Sequence, residues 1–228
     1  HNNFIGGRYS VLSEVGMLPA ELMDLDVSKF RQLNSLIKNK NFLNSLVLNV
    51  SYTLNLIKKK KFNSIILNYD PNSIFLFEWY QQLVSESLGK NSKGIMPIIS
   101  SMPKDNHSLL QLYLSGFESN FYTFFIVKEK SNILLNSKLL FDNFSFLKGK
   151  DTFDILNSQK VATENVFKKK AIPFRSFNIS NRDEETLGEL FCFFTLEVIL
   201  LANILKVNPL DQPEVEMIKK ETFKILRD

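Results

Sequence analysis

The sequence predicts an α/β fold, a three-layer αβα sandwich around a mainly parallel sheet, with helices closing the C-terminus. Two observations predict it. Short apolar runs bounded by turn residues alternate with longer stretches of helical period, and the links between them are short, the signature of a parallel sheet covered on both faces.

The elements follow in order. Helical periodicity runs through residues 28–38 and then 41–60, where Phe42, Leu46, Val50, Leu54 and Ile57 recur at three- and four-residue spacing. The run Lys58 to Lys61 ends that helix and reads as a solvated terminus complementing its dipole. Residues 64–67 (SIIL) form a buried strand, closed by Asn68, Tyr69, Asp70 and Pro71. A helix over 74–88 stops at Gly89, a second strand covers 95–99, a helix follows Asp105, and a third strand covers 121–127. The unit repeats with a helix over 152–169 and a strand over 172–177. A long apolar helix over 184–206 and an amphipathic one over 212–226 complete the chain. The expected organisation is an N-terminal helical segment (1–60) that begins inside a larger fold, an α/β subdomain (61–180) and C-terminal helices (181–228). In sheets of this kind ligands bind at the carboxyl ends of strands, so the loops after Leu67, Ile99 and Phe177 are where chemistry is sought.

Composition narrows the function. Among 228 residues there are two histidines and one cysteine, Cys192, too few for an internal disulfide or a zinc site of the usual kind, and no metal is expected. The net charge of +4 is too mild to argue for nucleic acid, while anionic small molecules remain open. The longest apolar run, 190–205, falls short of the roughly 20 residues that a bilayer needs and contains Glu197, so a buried helix rather than a membrane span is expected. One reduced cysteine and no export signal point to the cytoplasm. Neither GxGxxG nor GxxxxGK[ST] is present, nor a GxSxG elbow, and no nucleotide cofactor or Ser-His-Asp hydrolase is expected.

Four residues stand out. Glu78, Gln82 and Glu86 form a polar stripe beside an apolar one of Phe75, Trp79 and Leu83, and Glu86 lies just before the glycine that ends the helix. The stripe is either a solvated face or the seat of a catalytic carboxylate. With His1 at the terminus, imidazole chemistry falls to His107, in a first helical turn that Asp105 or Asn106 caps; the dipole there disfavours a protonated ring. Asp211 as N-cap, Pro213 and Glu214 read as a capping box that opens the last helix, whose stripe Val215, Ile218, Thr222 and Ile225 is expected to be buried, with Lys219 at its edge. Two glycines precede Arg8 in GGRYS, a setting for a charged ligand or for a pair with a surface carboxylate.

Taken in order, these segments resemble the glucose-6-phosphate isomerase family. GGRYSVLSEVG (residues 6–16) is similar to its first signature, QQLVSESLGK (81–90) to its QQLxxESxGK block, KDNHSLLQLYLSG (104–116) to its GxxDQHSLLQLYLDG block, and NPLDQPEVEMIK (208–219) to its closing signature. The resemblance covers essentially the whole chain and implies the C-terminal portion of an enzyme whose complete form has two SIS-type α/β subdomains, the second of them here. It implies an aldose–ketose isomerase of glycolysis and gluconeogenesis that interconverts glucose 6-phosphate and fructose 6-phosphate without a cofactor. By the same resemblance Glu86 moves the proton between C2 and C1, His107 and Lys219 share ring opening, Arg8 stabilises the cis-enediolate and Gln212 lines the sugar site. A homodimer with His107 donated across the interface is implied too. The other reading is a non-catalytic SIS module that binds sugar phosphates.

Overall fold

The computed structural model describes residues 5–129, 134–135 and 142–227. After a 3-10 turn at Gly7–Leu12, its helices are α1 (Glu14–Leu22), α2 (Val27–Phe30), α3 (Leu33–Leu36), α4 (Lys40–Lys58), α5 (Ile74–Leu88), α6 (Asp105–Ser108), α7 (Leu110–Ser115), α8 (Thr152–Lys169), α9 (Glu184–Leu205) and α10 (Pro213–Ile225). The strands are β1 (Asn63–Asn68), β2 (Met96–Ser101), β3 (Asn120–Val127) and β4 (Phe174–Ile179), in the order β2-β1-β3-β4. The α/β class read from the sequence is therefore the observed one. The chain forms two compact units, one of residues 1–55, 79–96 and 188–228, the other of residues 56–78 and 97–187.

The sheet belongs to the second unit. β3 pairs in parallel with β1, from Asn63 opposite Asn120 to Asn68 opposite Phe125, and with β4, from Tyr122 opposite Phe174 to Val127 opposite Ile179. Every residue of β3 is buried, as a central strand covered on both faces requires. Successive side chains leave a strand on opposite faces. Phe124 accordingly meets Phe167 of α8 edge-on, with centroids 5.3 Å apart, while Phe125 meets Phe77 of α5 at 4.8 Å. Helix, sheet and helix are thus three layers. Ile65, Leu67, Tyr122, Phe124, Ile126 and Phe167 form the core of the α8 side.

Some boundaries move for local reasons. The helix expected over 28–38 is two single turns, because the Phe30 carbonyl accepts from Gln32 N at 3.2 Å instead of from a residue four ahead. Gly188 of α9 lies against that carbonyl, and a Cβ there would come within 2.4 Å of it. β4 starts at Phe174 rather than residue 172, since Ile172 N still bonds Phe167 O at 3.0 Å and Pro173 O receives Tyr122 N. Phe75, expected in an apolar packing stripe, is 77% exposed. α9 is long and apolar enough, by length and composition, to cross a membrane. In the first unit, however, its Leu190, Phe194, Val198 and Leu201 are buried, and the Glu197 carboxylate accepts from Asn49 Nδ2 (2.7 Å) and Tyr80 Oη (3.1 Å). It is a packed core helix.

Candidate active site

Three of the four motifs meet within the first unit, and Arg8 is where they meet. Its side chain is 1% exposed, and it does pair with a carboxylate, the partly exposed Glu86. A guanidinium carries five N–H groups. Arg8 Nε donates to Ser87 Oγ (2.9 Å), Nη1 to Glu86 Oε2 (2.8 Å) and Gln212 Oε1 (2.5 Å), and Nη2 to the carbonyls of Pro209 (2.6 Å) and Asp211 (3.0 Å). Every donor is used. Burying a guanidinium costs several kcal/mol unless each group is paired, and here a carboxylate, an amide, a hydroxyl and two carbonyls do so.

Local structure explains the convergence. The 3-10 turn at Gly7–Leu12 aims Arg8 inward and is pinned by Trp79 of α5, whose indole N–H donates to the Arg8 carbonyl at 2.9 Å. Glu86 and Ser87 occupy the last turn of α5, which ends at Leu88. Gly89 lets the backbone fold close there, because a Cβ would lie 2.6 Å from the Ser85 carbonyl. The turn before α10 supplies the remaining acceptors and is held from a second side. Lys90, 8% exposed, donates to the carbonyl of Asn208 and pairs with Asp211 Oδ1 at 2.8 Å. That ammonium holds the Asp211 carboxyl below its ordinary pKa. Tyr9 Oη, beside Ser87 Oγ at 2.9 Å, donates to the Pro209 carbonyl.

Glu86 remains reachable. Its side chain is 26% exposed, with Oε2 fixed by Arg8 and Oε1 accepting from Gln82 Nε2 at 2.9 Å. The polar stripe of α5 therefore orients a carboxylate besides being solvated. Such a group, held between a cation and an amide at a surface opening, can accept a proton from a carbon brought against it.

The other two expected site residues stand outside this cluster. His107 is exposed in α6 of the second unit. Asp105 does not cap that helix from outside. It is the first helical residue, and its carboxylate accepts from Ser100 Oγ and Ser101 N at 2.9 and 2.8 Å. Lys219 is 63% exposed on α10 and pairs with Glu216 at 2.7 Å. The stripe Val215, Ile218, Thr222 and Ile225 is not buried as expected, for α10 contains no buried residue. Nor is there a capping box at its start: Gln212 is the N-cap without a side-chain bond, because its amide serves Arg8 and Asp211 serves Lys90. His1 lies outside the described residues. Among the described residues no cluster of His, Cys, Asp and Glu could hold a metal ion.

No family model matches the chain. Individual proteins do. A glucose-6-phosphate isomerase of Mycoplasmopsis pulmonis is 35% identical over 97% of this chain and 54% of its own length, and one of Methanocaldococcus jannaschii is 31% identical over 98% and 56%. The chain is a partial-length homologue of the glucose-6-phosphate isomerases. It spans about half the length of these curated relatives. In structure it is similar to a hypothetical protein from Thermus thermophilus, with a TM-score of 0.83 at 26% identity over 98% of this chain and 56% of the other. A glucose-6-phosphate isomerase from Chlamydia trachomatis shares the fold, with a TM-score of 0.72 at 17% identity over 97% and 47%.

Within this glucose-6-phosphate isomerase homologue, sequence reasoning overlooks Ser87, Lys90, Tyr9 and Asp211 as partners of the site. All four lie inside the quoted motifs, and that membership is the available signal. Their partners are 78 to 204 residues away along the chain for the Arg8 and Tyr9 bonds, a pairing that no local pattern encodes.

Proposed function

We propose that this chain is the C-terminal portion of an aldose–ketose isomerase that interconverts glucose 6-phosphate and fructose 6-phosphate in the cytoplasm. The observation that supports this reading is the junction of three motifs at one ion pair, Arg8 to Glu86 at 2.8 Å, with Gln212 on the same nitrogen at 2.5 Å. The homologues' names favour the enzyme over a non-catalytic sugar-phosphate module.

In this mechanism Glu86 removes the proton from C2 of the open-chain aldose, the C–H electrons form the C1–C2 double bond as the carbonyl electrons move to O1 in the cis-enediolate, and the same carboxyl returns the proton to C1 while the O2 hydroxyl proton passes to O1 and C2 becomes the ketone. A carboxylate base needs to reach its carbon within hydrogen-bond range, and a cation is needed where the oxyanion grows. Arg8 supplies the positive charge. Since its five donors are taken, an enediolate oxygen binds it by replacing the Gln212 amide oxygen on Nη1, and Gln212 then turns to the sugar hydroxyls. His107 and Lys219 move the proton between the ring oxygen and O1 during ring opening, His107 coming from the partner subunit of a homodimer. The first SIS-type subdomain of the complete enzyme grips the phosphate. The reaction as written uses no metal or redox group.

The test is Glu86→Gln in the enzyme that carries this chain, followed by a coupled assay of fructose 6-phosphate formation. The amide oxygen keeps the bond from Arg8, and its NH2 donates to Gln82 once that side chain turns its own oxygen round, yet the amide accepts no proton, so kcat falls by about 10²–10⁴ with KM little changed. Full turnover would show that another group is the base.

A further inference from the structure

Separately from the chemistry discussed so far, the second unit carries a cavity of about 330 Å³ at the amino ends of β3 and β4, lined by Lys61, Tyr113, Phe117, Tyr122, Lys170 and Pro173 among others. We propose that it binds a ligand joining several phosphates to a planar ring, a nucleoside polyphosphate. None of its residues belongs to the Arg8 cluster, and the inference stands apart from the isomerase reading.

Two lysine runs lie far apart in sequence, Lys58 to Lys61 at the end of α4 and Lys168 to Lys170 at the end of α8. In a parallel α/β unit helix carboxyl ends and strand amino ends share an edge, and one residue of each run, Lys61 and Lys170, lines this same cavity. The bland explanation is compensation of helix dipoles. Each helix carboxyl end carries about −0.5 charge, so two account for about one lysine. Of the two runs, Lys61 and Lys170 line the cavity, Lys61 Nζ donating to the Glu118 carbonyl, and Glu118 is the one carboxylate among the described lining residues. Two cations bordering one cavity favour an anion within it.

Geometry supports a fixed receptor. Both helix ends turn sharply through left-handed, non-glycine residues, Lys60 at φ 59° and Ala171 at φ 54°. The turns are closed by Lys61 N to Leu56 O and Ile172 N to Phe167 O, each 3.0 Å, so the cations stand on ordered backbone. The floor is rigid as well. Tyr122 Oη donates to the Tyr113 carbonyl at 2.9 Å and accepts from Asn120 Nδ2 at 3.0 Å, and its buried ring packs edge-on against Tyr113 and Phe167. Phe117, 60% exposed, gives the wall a phenyl face on which a base can stack. Phosphates on the lysines and a ring on Phe117 satisfy both halves of the cavity.

Calorimetric titration of the 228-residue chain at low salt with ATP, inorganic tripolyphosphate and adenosine tests it. ATP is expected to bind, tripolyphosphate more weakly and adenosine not measurably. The double variant Lys61→Glu/Lys170→Glu should weaken ATP at least about tenfold, and Phe117→Ala about five- to tenfold while leaving tripolyphosphate unchanged. Thermal unfolding of each variant guards against a folding defect; a variant that unfolds is replaced by Lys61→Gln/Lys170→Gln. Absence of ATP binding, or ATP affinity indifferent to the lysine variants, overturns the site. Equal affinity for ATP and tripolyphosphate overturns the ring half and leaves a plain polyanion patch in place of the proposed ligand.

Discussion

The closing motif holds two regions that are adjacent in sequence and opposite in character. Its turn, residues 208–212, presents carbonyls and an amide to two buried cations, Arg8 and Lys90. The helix that follows, α10, has its apolar side chains in the open, with Ile218 and Ile225 each 68% exposed. The turn is held by polar bonds at fixed distances, where losing one partner strands several others. The helix is held by its own backbone ladder and by surface pairs such as Lys219 with Glu216. A single motif, residues 208–219, therefore mixes positions on which the fold depends with positions on which it does not.

Three substitutions break or sharpen that contrast. The largest effect is expected from Arg8→Met, which takes the cation from Glu86 Oε2 and the guanidinium donors from the Pro209 and Asp211 carbonyls, leaving an apolar chain beside them. Breaking a buried pair costs about 3–5 kcal/mol, and partial exposure of Glu86 puts this one near the lower end, about 3 kcal/mol in urea unfolding. Next comes Lys90→Met, at about 1–3 kcal/mol for the abandoned acceptors. Its pH signature is specific. Because Lys90 lowers the folded pKa of Asp211, the pair's contribution is full above the ordinary carboxyl value of 3.8 and disappears as pH falls through the lower folded value. The difference between wild type and variant should thus shrink in acid, and a difference that stays constant down to about pH 2 would mean that the Asp211 pair contributes nothing. Smallest is Lys219→Ala, expected within about 0.5 kcal/mol, because an exposed i,i+3 pair adds little to stability. In the same variant an assembled isomerase should lose kcat, separating a role in chemistry from a role in folding.

The second unit has an alkaline counterpart. Burial pushes Tyr122 up to about 12, so the folded form keeps its proton above the ordinary value of 10.0 while the unfolded chain loses it. Stability should fall as pH rises from about 10 to about 12, and Tyr122→Phe should flatten that fall.

Much of the fold is legible in the sequence. The span of α5 follows from apolar periodicity with a glycine stop, and the helix expected over 152–169 is α8, whose first turn the structure shows framed by mutual capping bonds of Asp151 and Asp154. The 28–38 segment misleads a sequence reading because its break depends on the Phe30 carbonyl meeting Gly188, a residue remote along the chain. The α10 stripe misleads for the converse reason: amphipathic spacing reports what a helix is able to bury, and no described residue covers this one. At the site, Arg8 and Glu86 are each conspicuous singly and Gln212 through motif likeness, whereas the Lys90 strut is not, since a lysine after a helix end reads as solvated.

By itself the sequence determined the class of fold, the order of its elements and, through motif likeness, the homologues it shares ancestry with. These depend on local periodicity and on residue type at fixed short spacing, which one chain displays in full. Tertiary structure alone decided that Arg8 is buried with every donor used, that the turn before α10 is clasped by two cations, and that two distant lysine runs border one cavity. Each of these joins residues remote in sequence, and hydrogen-bond directionality and the unscreened field of buried charge act through space, not along the chain.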